Sequence, residues 1–191
     1  LRTMEVLAGK TIALKPLTGK DEKAEKYFLN KVNRFLIDQD TWPESVVVSL
    51  PRSYVTFKTF ELPAPDLESV RSMVEFELER QFSAGLEDLY FTFQVTPKAE
   101  NIFHVASAAI KKEIANYYLE LIQKLNLKTT ILDVSTFANV NLAFAQDIEN
   151  DSPIWALADI SPETLDIALI KNDAIEFSRS LSWARPAIKD A

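Results

Sequence analysis

Apolar residues recur along this chain with two periods, and the switches between them lay out its elements. Val46-Val47-Val48 is too apolar to face water and predicts a buried central strand. Leu50-Pro51 closes it, because proline donates nothing to a ladder. Residues 54–62 are aromatic and β-branched and predict a second strand. Pro63-Ala64-Pro65 breaks the chain, and Asp66 and Glu68 follow where a helix N-terminus favours negative charge. Leu67, Val70, Val74 and Leu78 then recur at helical spacing, with Gly85 expected to close that helix.

The flanks read in the same way. A strand is expected at 11–14, ended by Pro16, and a charged helix at 21–36 with Tyr27, Phe28, Val32, Phe35 and Leu36 on its apolar side. Residues 89–95 and 103–110 predict two strands joined by a turn at 96–101. Ile114, Tyr117, Tyr118, Leu121, Ile122 and Leu125 predict an amphipathic helix. A strand at 129–134 is followed by Ser135 as N-cap of a helix at 136–146. The tail is strand throughout: 154–159, then 165–169, a turn at Lys171-Asn172-Asp173, and a return at 175–181. The class is α/β (α+β). The order β-α-β-β-α-β between 54 and 134 also describes a ferredoxin-like domain, which needs one continuous antiparallel sheet through 129–134.

Composition narrows the functions. With 21 Lys and Arg against 28 Asp and Glu, the net charge of −7 disfavours nucleic acid. The 191 residues carry no cysteine and one histidine, His104, so thiolate and histidine-rich metal sites are not expected. Three glycines are too few for a dinucleotide fingerprint or a Walker loop. No apolar run is long enough to span a membrane. Glu75, Glu77 and Glu79 sit at i, i+2 spacing and do not form a dyad, and no serine has a histidine and an acid at triad spacing.

The tail carries a resemblance. Asp159-Ile160-Ser161, Thr164-Leu165-Asp166-Ile167 and Phe177-Ser178-Arg179-Ser180 are similar, in order and spacing, to the second phosphate-loop hairpin of the actin-like ATPase superfamily. They look most like its PilM branch, the cytoplasmic assembly proteins of type IV pili, with the cytoplasmic part of the type II secretion protein GspL close behind. VVVSLP at 46–51, FELPAPDLESVRSMVEFELERQF at 60–82, FHVASAAIKKEI at 103–114 and LDVSTFANVNLAF at 132–144 resemble the same family. The resemblance implies a partial actin-like (RNase H-like) subdomain, 1A, at 1–51 and 127–191. It implies an inserted strand-helix-strand-strand (SHS2) module at 52–126.

Two departures bear on activity. The family's first phosphate loop has no counterpart in residues 1–20, so the chain is expected to begin just after it. Ser161 stands where the second loop has glycine, and Pro162 removes a further backbone donor. A nucleotide-like loop of Asp159, Ser161, Glu163, Thr164 and Asp166 is therefore expected to be degenerate. No catalytic residue and no metal ligand is expected, and ATP with magnesium would belong to a longer form. The function implied by the resemblance is a cytoplasmic scaffold, peripheral to the inner membrane, that binds the cytoplasmic tail of a PilN-like protein. The partner groove is expected along Phe103, Val105, Ala106, Ser107 and Ala108, whose small residues would admit another backbone. The alternatives are a nucleotide-dependent actin-like ATPase switch and a ferredoxin-like regulatory domain, and self-association stays open.

Overall fold

The computed structural model describes residues 6–12, 21–40, 42–81, 85–146 and 153–182. It falls into two compact units, one of Leu1–Val48 with Tyr117–Ile131 and one of Ser49–Asn116 with Leu132–Ala191. Of the strand expected at 11–14, Thr11 and Ile12 lie in no strand, and residues 13–14 are outside the described residues.

The first unit holds α1 (Glu22–Asp38). Asp21 caps it by accepting the N–H groups of Lys23 and Ala24 at 3.0 and 3.2 Å. The charged face stays in solvent, apart from Glu25, which pairs with Lys124. Lys124 lies just past α3 (Lys112–Gln123), where Leu121 and Leu125 are buried, as helical spacing predicts. β1 (Val46–Leu50) pairs with β5 (Thr129–Val134) in a two-stranded sheet, tied at its start by the Val46 N–H to the Lys128 carbonyl at 2.9 Å. The expectation of a fully buried strand fails here. Val47 is 58% exposed, and among the described residues β1 and β5 pair only with each other.

The second unit contains the strand-helix-strand-strand pattern. β2 (Thr56–Pro63), α2 (Leu67–Gln81), β3 (Leu89–Ala99) and β4 (Ile102–Lys111) fold into an antiparallel sheet of order β2-β4-β3. Val70, Val74 and Leu78 of α2 press on Leu62, Leu89, Val105 and Ala109. Asp66 caps the helix through the Ser69 N–H at 2.7 Å. Gly85 does not close α2. Its φ is −58°, outside the left-handed region a glycine stop uses, and it opens a short 3-10 turn, Leu86–Asp88. β5 does not join this sheet, so the continuous sheet that a ferredoxin-like domain requires is not formed.

The same unit continues with α4 (Ser135–Ala145) and an antiparallel meander of β6 (Ile154–Ile160), β7 (Thr164–Lys171) and β8 (Ala174–Ser182). Ser135 is the first helical residue of α4 rather than its cap. The turn between β7 and β8 is two residues, Asn172-Asp173, both at positive φ (49° and 62°), which is the backbone a right-twisted hairpin needs. α4 covers one face of the meander, where Val140 packs on Ala168 and Ile170 with Trp155, Leu157 and Ile175 around them.

Candidate functional site

The nucleotide-like loop is the turn from β6 to β7, and its geometry is set by Ser161. The hydroxyl of Ser161 accepts the N–H of Thr164 at 2.8 Å and that of Glu163 at 3.3 Å. It also lies 2.8 Å from the Thr164 hydroxyl and 3.1 Å from the Thr164 carbonyl. The Ser161 N–H donates to that carbonyl at 2.9 Å. Loop amides of the kind that cradle phosphate are thus turned onto a side chain of the loop itself.

The acids of the loop part company. Asp159 and Asp166 stand directly opposite on β6 and β7 and therefore share a face, the one covered by α4. Asn139 of α4 donates to Asp159 at 3.0 Å, and the Ser180 hydroxyl donates to Asp166, which is buried. Glu163 is exposed and takes no part.

An arginine that sequence reasoning passed over lies behind this pair. Arg52, in the short turn after β1, is buried. Its Nε donates to the Ser178 hydroxyl at 2.7 Å and its Nη2 to the Ser178 carbonyl at 2.6 Å, while Nη1 reaches the Val55 carbonyl. The guanidinium lies over the Phe57 ring, 5.7 Å from its centre. Burial pushes its pKa down, and the negative charge of Asp166 opposes that shift. The available signal was a lone cation set between two apolar strands, directly after a proline.

The groove residues lie on the central strand of the module sheet, and strand alternation divides them. Phe103, Val105 and Ser107 share the side that faces α2, while Ala106 and Ala108 are on the other side with His104. His104 through Ile110 are all buried. Thr59, opposite Ala106, donates to the Glu176 carbonyl of β8 at 3.3 Å, and Glu176 approaches His104 to 3.9 Å. His104 is a packing residue whose Nε2 has no hydrogen-bond partner among the described residues. On that side of the sheet, Thr92 and Gln94 of β3 stand opposite Ala108 and Ala106 and are exposed. Among the described residues, no three acids or histidines assemble as a metal-holding group, and no helix is long and apolar enough to cross a membrane.

The family described as "Type IV pilus assembly protein PilM" matches residues 4–185, nearly the whole chain. The chain belongs to the PilM family. Among solved structures, one titled as a PilM-PilN type IV pilus biogenesis complex is similar at a TM-score of 0.71 with 22% identity, over 84% of this chain and 49% of that one. The cytoplasmic domain of EpsL, an inner membrane component of the type II secretion system of Vibrio cholerae, aligns at 0.53 with 14% identity, over 81% of this chain and 55% of that one. The chain spans about half the length of these structures. No curated protein matched by sequence. The α/β class read from the sequence stands, and the fold is that of the PilM structure.

Proposed function

We propose that this chain is a cytoplasmic scaffold of type IV pilus or type II secretion assembly, held near the inner membrane by binding the cytoplasmic tail of a PilN-like protein. The observation that carries this reading is the fold match to the PilM-PilN complex along most of the chain, within a PilM family assignment. In this reading residues 52–126 act as the inserted module and residues 1–51 with 127–191 as the actin-like part. β4, which carries Phe103, Val105, Ala106, Ser107 and Ala108, is paired on both edges and buried from His104 to Ile110, so the tail lies beside it along exposed Thr92 and Gln94 of β3, which stand opposite Ala108 and Ala106. Scaffolding is favoured over an ATPase switch because Ser161 already holds the loop amides that phosphate would need. The residues present do not fit a phosphate, since the Glu163 and Thr164 amides already donate to the Ser161 hydroxyl.

Fluorescence anisotropy of a labelled synthetic PilN cytoplasmic-tail peptide tests this. Wild type and Asp159→Ala should bind alike, and Thr92→Arg with Gln94→Arg should weaken binding at least about tenfold, a loss of about 1.4 kcal/mol. Normal binding by the arginine pair with loss in Asp159→Ala would move the site to the loop and end this reading.

A further inference from the structure

β3 is an edge of the module sheet: in the order β2-β4-β3, its one strand neighbour among the described residues is β4. It lies well inside the chain, and the stretches on either side of it, 85–88 and 100–111, are described. Sheet edges are templates for pairing, and proteins blunt them with proline, lysine, bulges or a covering element. The two edges of this sheet differ in those devices. β2 carries Lys58 and Glu61, both exposed, and β8 approaches it, where the Thr59 hydroxyl donates to the Glu176 carbonyl at 3.3 Å. On β3 every device sits in the last three residues: Pro97, Lys98, and the register shift between Pro97 and Ala99. The eight residues before them, LYFTFQVT at 89–96, hold no charge, proline or glycine, and six of the eight are aromatic or β-branched. Charge resumes at both ends, with Glu87 and Asp88 before the stretch and Lys98 after it.

The two faces of this edge also differ. Phe91, Phe93 and Val95 lie on the α2 side, where they pack at the margin of the module core and stay partly exposed. Tyr90, Thr92 and Gln94 are exposed on the other side. A strand laid beside β3 would complete the core margin with every second side chain and set the alternate ones beside Thr92 and Gln94. We infer that the PilN-like tail binds by adding to the module sheet as a fourth strand, paired with β3 along 89–96. The tail segment that does so is extended and uncharged, with apolar side chains at alternate positions. Backbone hydrogen bonds supply its affinity, and the alternation sets its register. The inference rests on the tail-binding reading, which already sets the tail beside Thr92 and Gln94, and supplies the mode of binding.

Amide hydrogen exchange followed by NMR, with the synthetic PilN cytoplasmic-tail peptide as probe, tests it. In the chain alone, every second amide of 89–96, the set turned away from β4, should exchange fast. The peptide should slow that set at least about tenfold and leave the amides of β2 unchanged. Two further peptides, N-methylated at alternate residues in the two possible phases, lose the donors of one backbone edge or the other. One should bind at least about tenfold more weakly than the parent peptide, and the other within about twofold of it. Peptide binding that leaves the alternate amides of β3 unprotected, or equal binding by both methylated peptides, overturns strand addition and leaves the tail-binding reading standing. Absence of peptide binding overturns both. Protection of the same set in the chain alone means that another copy or the chain itself covers the edge, which overturns the inference; sedimentation velocity tells those two covers apart.

Discussion

Single side chains decide the behaviour of both candidate sites. Ser161 occupies the loop amides with its own hydroxyl, so Ser161→Gly removes an internal acceptor as well as a Cβ. Wild type is expected to show no heat of binding with Mg-ATP in the micromolar range, and Ser161→Gly should gain a measurable phosphate contact by the same calorimetry. Arg52 is a buried cation held by three acceptors, and its loss leaves the Ser178 and Val55 carbonyls unpaired and Asp166 without its countercharge. Arg52→Ala should cost about 3 kcal/mol in urea unfolding. Asp66 is exposed, but the hydrogen bond from the Ser69 backbone pulls its carboxyl below the usual aspartate range. A depressed folded pKa means that the stabilisation is full above the unfolded value, about 3.9, and is lost as pH falls through the folded value. Acid titration of thermal stability should therefore fall less steeply for Asp66→Asn than for wild type below about pH 4.

Elements were legible wherever the period of apolar residues reported burial by itself. Val70, Val74 and Leu78 recur at helical spacing and all three are buried, so Leu78→Ala should cost about 2–5 kcal/mol, as should Leu121→Ala in α3. Leu67 begins the same helical row but is exposed at the first turn, and Leu67→Ala should stay within about 0.5 kcal/mol. The meander was readable from its alternation and from Asn172-Asp173, whose side chains tolerate positive φ. The pattern could not report what lies over a strand. Val47 is as apolar as Val46 and Val48 yet faces solvent, since hydrophobicity records what a face would tolerate and not what is present to cover it. The small residues of β4 were read as space for a partner. Alternation splits them between α2 on one side and the β8 side on the other, and only the fold reveals that division. The stretch from Asp159 to Asp166 was read as a strand-to-strand turn, and it is the turn from β6 to β7. The inward hydroxyl of Ser161 and the Arg52 anchor needed coordinates, because both depend on which groups come together rather than on which residues are neighbours.

At the scale of the molecule, the second unit joins the strand-helix-strand-strand pattern to the three-stranded meander. Each sheet is stitched by local turns: Asn101, at φ 57°, sits in the β3–β4 turn, and Asn172-Asp173 joins β7 to β8. The bonds from Arg52 to Ser178 span 126 residues of sequence. Closing so long a loop draws on chain entropy that only a completed surface can offset, although each doubling of length adds only about 0.6 kcal/mol. Hairpins with short turns form early on a folding path, while distant contacts are made near its end. Stopped-flow refolding should then find Arg52→Ala folding at nearly the wild-type rate but unfolding faster, the signature of a contact absent from the transition state. Arg52 would act as a latch on lifetime: the two sheets can assemble without it, and it sets how long they stay together.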